Sequence, residues 1–393
     1  MSIDQPEDDG FDVHPDILKL GLVSFLTDFS SEMIFSVFAV FFTTIAGASA
    51  ALLGVVEGLA DLSASSLNYT AGWLSDRTGK HKVFALSGYG FSMAAKAILL
   101  VSTTVTSLGV FRVIERLGKS FRGAPRDAWI SEISNRNIRG YSFGVHKALD
   151  KSGAVLGPLV AYGLLSWLGD GAAAFRILFW VAFIPAVLGF IALGLIEDQP
   201  RVPGQRVNLY ETWRVLSPQF KRYLLTSGIF SLAYFSFSFL MLRAQGMGFT
   251  VREIVLLYAL FNMAFVVAAP LIGRVGDHVG RASMISLGYL IYLVMSLGFA
   301  FANKQWHIVA LFITYGVFYA IDEAQSKAFI ADLELERRAS AIGLYNFVTG
   351  FLYLPASLIA GILWLRHPSS AFFVASCLAL GALISFLWLR PDK

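Results

Sequence analysis

The chain has 393 residues, of which 56% are hydrophobic and 15% charged, and a net charge of +4. Soluble domains carry roughly 25% charged residues, so this composition excludes an ordinary soluble protein and points to a membrane one. The bases sit in short loops and inside apolar segments rather than on one patch, which argues against nucleic-acid binding, and the lone Cys377 excludes an intrachain disulfide or a cysteine metal cluster.

Residues 1–16, MSIDQPEDDGFDVHPD, form an acidic tail without the basic region and small-residue cleavage site of a secretory signal. Stretches long enough to cross a bilayer, which takes ~20 mostly apolar residues, follow at 17–46, 50–71, 83–103, 106–131, 140–167, 172–196, 219–242, 250–272, 282–302, 307–332, 339–364 and 370–390. The fourth and tenth are the least apolar. A polar, proline-containing stretch at 197–218 divides them into two sets of six. The pattern predicts an all-α membrane protein of twelve transmembrane helices in two pseudo-symmetric six-helix bundles, 17–196 and 219–390, joined by a cytoplasmic linker. Lys and Arg in short loops mark the cytoplasmic side. Here they follow the second span (Arg77, Lys80, Lys82), the fourth (Arg136, Arg139), the eighth (Arg274, Arg281) and the tenth (Arg337, Arg338), while AGASA and VSTTVTS carry none. Both termini are expected in the cytoplasm and the chain in the cytoplasmic (inner) membrane.

The halves repeat one another. GWLSDRTGK after the second span aligns with GRVGDHVGR after the eighth, so that Gly72, Asp76 and Gly79 match Gly273, Asp277 and Gly280; RDAWISEI aligns likewise with SKAFIADL. Parallel repeats place a substrate site near the bilayer midplane between the halves. The first stretch resembles the signature of the major facilitator superfamily, Gly-x-Leu-Ala-Asp-Arg-x-Gly-Arg/Lys, and the second its weaker copy, with Ser75 in place of alanine and His278 in place of arginine. The resemblance extends over nearly the whole layout and implies a secondary transporter working by alternating access, in which Asp76 and Arg77 hold the two halves together on the cytoplasmic side. Glycine at Gly72, Gly79, Gly273 and Gly280 suits the tight turns. Asp76 suits the positive end of a helix from the other half, with Lys80 and, in the second copy, Asp277 and Arg281 completing the contact. In the fifth span Gly144, Gly153, Gly157 and Pro158 are similar to the superfamily's antiporter motif, which departs at Ala161 and Tyr162. RVIERLG in the fourth resembles Arg-x-x-Gln-Gly-x-Gly, with Glu115 and Arg116 between the retained Arg112 and Gly118.

An ionisable residue at the centre of a span costs ~2.5–3.5 kcal/mol on insertion scales and so faces a partner or a water-filled cavity. Arg112, Glu115, Arg116, Lys119 and Arg122 fall within one arc of roughly 120° on the fourth helix. The fifth span adds His146, Lys147, Asp150 and Lys151, the first Asp28 and Glu32, the second Glu57 and Asp61, and the tenth Asp322, Glu323 and Lys327. Arg112, Arg116, Lys119, Lys147 and Lys151 outnumber the acids beside them in sequence and predict a basic wall that attracts an anion; with Asp322, Glu323 and Lys327 they form the expected substrate site. Asp28 or Glu32 is the expected proton carrier and Asp150 the group that senses it, with Glu57, Asp61 and Glu115 as further candidates. The aromatic run FSLAYFSFSF in the seventh span looks like a cavity lining, but lipid-facing or inter-helix packing is favoured for most of its rings and none is taken as a site residue.

These features favour a secondary transporter that moves a small organic anion or anionic metal chelate with protons, as a monomer, in contact with lipid and without cofactor or metal. Export by antiport is slightly favoured by Gly157-Pro158; uptake of a nutrient or iron chelate by symport, and multidrug efflux, are the alternatives. An enzyme using Asp28 and Glu32 as acid and base would need metal-ligand histidine pairs or a nucleophile elbow, neither of which is expected here. A transport-dead sensor on the same fold is the other competing class.

Overall fold

The computed structural model describes residues 14–102, 104–134, 139–197, 213, 216–334, 338–389 and 391. The tail before His14 and most of the predicted linker lie outside them. Among the described residues the chain is helical throughout, in twelve spans: α1 (Pro15–Val40, continued by one π-turn, Phe41–Ile45), α2 (Ala50–Thr78), α3 (His81–Val101), α4 (Val105–Ile133), α5 (Arg139–Leu168), α6 (Ala172–Gly194), α7 (Pro218–Ala233 and Ser238–Gly246), α8 (Val251–Val279), α9 (Arg281–Phe301), α10 (Gln305–Leu333), α11 (Arg338–Arg366) and α12 (Pro368–Leu389).

The helix ends follow local chemistry. Ser49 and Ser217 accept from backbone N–H groups of the first turns of α2 and α7, and Thr104 and Thr250 form capping boxes with Ser107 and Glu253 at α4 and α8. The repeated motifs form the α2–α3 and α8–α9 turns, where Gly79 (φ 65°) and Gly280 (φ 94°) take backbone angles that favour glycine. The helices α2, α4, α8 and α10 each run past the predicted apolar stretch toward this end of the molecule, here called the hinge end.

Among the described residues, nine spans are apolar enough by length and composition to cross a membrane, α10 among them. The charge buried in the first half is carried on α1, α2, α3, α4 and α5.

Within the first bundle α1 packs on α5 and α6, α3 on α4 and α6, and α2 on α4; the second repeats the pattern, α7 on α11 and α12, α9 on α10 and α12, α8 on α10. The bundles meet along α2–α11, along α5–α8, and where α1 touches the second part of α7 and α8. Close backbone approach decides two of these contacts. A Cβ at Gly157 would stand 2.6 Å from the Phe29 carbonyl, so the antiporter-like glycines seat α5 on α1. On the α2–α11 seam, a Cβ at Gly54 would strike the Ser357 carbonyl, one at Gly58 would lie 2.8 Å from Leu354, and one at Gly361 3.0 Å from Ala51.

Candidate functional site

Between the bundles lies a cavity of ≈ 300 Å³ with two unlike walls. The first bundle lines it with Asp28, Glu32, Glu57, Asp61, Arg112, Glu115, Arg116, Lys119, Lys147, Asp150 and Lys151, as the sequence predicts. The second lines it with Tyr234, Phe235 and Phe237 of α7, Tyr258, Phe261, Asn262 and Phe265 of α8, and Tyr315, Tyr319 and Glu323 of α10.

The spine of the charged wall is α4. Because Glu57 and Asp61 are one turn apart on α2, and Arg112 and Arg116 one turn apart on α4, the facing helices form two rungs. Arg112 Nε and Nη2 donate to the two oxygens of Glu57, each at 2.9 Å, and Arg116 Nε and Nη2 donate to Asp61 Oδ1 at 3.1 and 2.9 Å. One turn further, Lys119 Nζ stands 3.7 Å from Asp28 and 3.4 Å from Glu32, and Arg122 Nη2 is 3.4 Å from Asp28. Asp150 faces Lys147 at 3.4 Å and Arg126 at 3.8 Å. The predicted free basic wall is therefore corrected: Arg112, Arg116, Lys119 and Lys147 are matched by acids, mostly from neighbouring helices that counting along the chain leaves out. Lys151 differs. It has no carboxylate within 4.0 Å among the described residues, and its Nζ lies 5.0 Å from the centre of the Phe265 ring across the cavity.

Two acids reach across the bundles. Glu32 Oε2 accepts from the Tyr258 hydroxyl of α8, and Glu57 Oε1 accepts from Ser238 Oγ of α7 at 3.1 Å. Beyond them, away from the hinge end, the second part of α7 packs on α1 and Arg252 pairs with Asp170 at 3.4 Å. Toward the hinge end the charged side chains are more open, Lys147 at 56%, Glu323 at 43% and Lys327 at 46% exposure. The cavity is closed at the far end and accessible from the hinge end.

Asp322 and Lys327 do not line this cavity. With Glu323, Ser65, Ser120, Tyr345, Asn346 and Thr349 they border a second chamber of ≈ 240 Å³. There Lys327 pairs with Glu323 at 2.5 Å, whereas Asp322 accepts from Ser326 at 3.3 Å and has no base within 4.0 Å among the described residues.

At the hinge, the side chains of Gly72, Asp76, Arg77, Gly144, Gly273 and Asp277 lie outside the described residues, and Lys80 is exposed. Around them, Ser75, the departure from the usual alanine, meets His81 Nδ1 at 2.5 Å, while His81 Nε2 meets Glu132 at 3.1 Å. The repeat-related pair is Arg281 to Asp332 at 2.6 Å.

Sequence reasoning missed Lys96, Tyr258 and Ser238, and assigned the α7 aromatics to packing although Tyr234, Phe235 and Phe237 face the cavity. It also missed GYSFG at 140–144, which has nucleophile-elbow spacing; Ser142 there lies in the helix α5 with its buried Oγ unpartnered, not on a strand-to-helix turn. No group of three or more metal-ligating side chains occurs among the described residues.

A family model described as Major Facilitator Superfamily matches residues 20–333 and again 223–393. The chain belongs to that superfamily. It is a multi-pass integral membrane protein of a transporter family. It is 34% identical over 380 residues, covering 94% of each chain, to a protein of Methanocaldococcus jannaschii called an uncharacterized MFS-type transporter, MJ1317. It is 22% identical over 353 residues to the quinolone resistance protein NorA of Staphylococcus aureus, covering 85% of this chain and 86% of that one. Among solved structures, a POT family transporter in complex with a thioalcohol-conjugated peptide superposes with a TM-score of 0.80 at 12% identity, covering 98% of both chains, and supports the fold alone.

Proposed function

We propose that this superfamily member is a proton-coupled secondary transporter of a small organic acid with a flat apolar body, held in the cavity between the bundles. The observation that carries the substrate class is Lys151, a base with no carboxylate within 4.0 Å among the described residues, facing a wall of rings. A carboxylate on the solute completes a charge-assisted hydrogen bond to Lys151, while the body of the solute lies against Phe261, Phe265, Tyr315 and Tyr319. The loop bases support a cytoplasmic hinge end, so that this state is open to the cytoplasm.

Coupling follows from the shared base. Asp28 and Glu32 divide Lys119 between them. A solute anion that draws Lys119 away leaves two carboxylates one turn apart with less compensation, which favours a proton on one of them. Anion and proton then bind together, and a neutral Glu32 is a weaker acceptor for Tyr258, loosening a cross-bundle contact. Asp150, held by Lys147 next to Lys151, senses an anion at that base. Binding together of this kind gives symport. A second reading, export by antiport, is favoured by the Gly157-Pro158 resemblance and the similarity to NorA; it requires solute and proton to compete.

Thermal unfolding of the purified protein against a panel of aromatic acids, matched amines and metal chelates tests the substrate class, because a ligand of the folded state raises the midpoint. Aromatic acids should stabilise the wild type and not Lys151→Met; equal stabilisation of both removes the assignment. A stabilising acid is then followed in proteoliposomes. Accumulation driven by an inward proton gradient supports symport, and accumulation driven by the opposite gradient selects antiport.

A further inference from the structure

Behind the charged wall lies a feature that the substrate cavity does not use. Lys96 sits in the middle of α3 at 1% exposure, and Glu115 on α4 at 5%. The ammonium has three donors, yet among the described residues it makes a single hydrogen bond, from Nζ to Ser31 Oγ of α1 at 3.0 Å, and has no carboxylate within 4.0 Å. Glu115 is half satisfied: Oε2 accepts from Arg112 Nη1 at 3.4 Å, while the buried Oε1 has no partner. An ammonium with most of its donors unused and a carboxylate oxygen without a protein partner are each costly inside a membrane protein. Between them is a void of ≈ 10 Å³ bordered by Lys96, Glu115, Ser31 and Arg112 and otherwise by apolar side chains. That is about the space one water needs, with enough polar neighbours to hold it. Ser31, Phe35, Arg112 and Glu115 border both the void and the main cavity, so water can reach the one from the other.

We propose that Lys96 and Glu115 hold one water between them and form a proton-binding site separate from Asp28 and Glu32, which sets how Arg112 divides itself between Glu115 and Glu57. For its purpose, not its geometry, the proposal rests on the proton-coupled reading above. The charged groups acting on the pair are Arg112, Arg116, Lys119 and Arg122 from α4 and Asp28 from α1; the bases outnumber the acid and oppose a proton on Glu115, so it binds there only as the pH falls. Uptake is a simple transfer: a proton arrives from the cavity through the water, an O–H bond forms at Glu115 Oε1, and nothing is oxidised or reduced. With Glu115 neutral, Arg112 turns wholly to Glu57, the acid that accepts from Ser238 of the other bundle. Lys96 acts in this as a positioning residue, through the water and Glu115.

The test needs neither a substrate nor transport, so its failure is distinct from that of the transport reading. Lys96→Met, Glu115→Gln and the double variant are purified and unfolded thermally across a pH series, and the carboxylic-acid C=O band is followed by infrared difference spectroscopy between high and low pH in lipid. Each single variant should lower the unfolding midpoint by several degrees and the double should recover most of the loss, since removing one member of a buried charged set is worse than removing both. A pH-dependent acid band should be absent in Glu115→Gln and shifted in Lys96→Met. Should a single variant fail to fold, Ser31→Ala, which removes the acceptor of the Lys96 hydrogen bond, takes its place and should shift the same band. Additive losses in the double variant, or an acid band unaltered by Glu115→Gln, overturn the proposal.

Discussion

The two bundles share one helix topology and bury opposite chemistries. In the first, α1, α2, α4 and α5 enclose acids and bases paired across helices at 2.9 to 3.8 Å. In the second, α7, α8 and α10 enclose rings, with Phe237 packed on Phe261 at 4.7 Å and on Tyr315 at 5.3 Å between centroids. Ion pairs in a site of low polarity tolerate few geometries, because each depends on its partner's position. Rings offer large contact area and adapt by small tilts. On the proposed function, the difference is a division of labour on a duplicated scaffold: the first half carries charge and its linkage to protons, and the second supplies a surface for the body of a solute.

The sharpest way to break this contrast is Arg112→Ala, which strands Glu57 in the driest part of the wall. Losing one partner of a buried pair costs ~3–5 kcal/mol, so the variant should fail to yield monodisperse protein on size exclusion, whereas Arg112→Met with Glu57→Met should restore folding. If Arg112→Ala alone remains stable, the first bundle does not depend on its ion pairs.

A smaller effect is expected where the halves touch. Tyr258→Phe removes the donor to Glu32, a hydrogen bond to a charged group worth about 1.5–3 kcal/mol, and should open the far end more often without unfolding the protein. Thiol-reactive labelling of a cysteine introduced at Ser238, in the background Cys377→Ser, reports it: faster labelling with Tyr258→Phe is the expected result, and an unchanged rate assigns the bond no part in closure.

Asp322→Asn probes the acid that stands apart in the second half. With no base left behind, its stability change should stay within about ±0.5 kcal/mol, in contrast to any acid of the first wall. A large loss on thermal unfolding would show that the second bundle also relies on charge. The smallest effect belongs to Asp170→Asn, at the rim. That pair is 31% and 41% exposed, and exposed pairs contribute ~0–1 kcal/mol, so unfolding in low and high salt should barely separate it from the wild type.

Much of the architecture was legible before any coordinates, for physical reasons. A bilayer imposes a length on each apolar run, and duplication leaves aligned turns, so the spans, the repeat and the faces carrying Glu57, Asp61, Arg112 and Arg116 could be read. What the sequence concealed is pairing between helices. Glu57 and Arg112 are 55 residues apart, and a tally of neighbours in the chain counts the base and omits its acid; hence the expectation of a basic wall. Lys96 was overlooked because it has no charged companion one turn away, although an ammonium alone in an apolar span is itself a signal. The break in α7 falls at Tyr234–Phe237, without proline or glycine to announce it, and rings that line a cavity follow the same helical spacing as rings that fill a core.

The seam between α2 and α11 has a practical meaning as well. Gly54, Gly58 and Gly361 let one backbone lie on the other there, and a seam of that kind offers two smooth rails for sliding. The same smoothness is a point of attack for anyone wishing to halt the machine. At Gly58 a Cβ would meet Leu354 Cδ1 at 2.8 Å and its backbone at 3.1 Å, so Gly58→Val is a wedge that removes no charged side chain of the cavity and should arrest the molecule in the state that makes room for it, a specimen held still for structure determination.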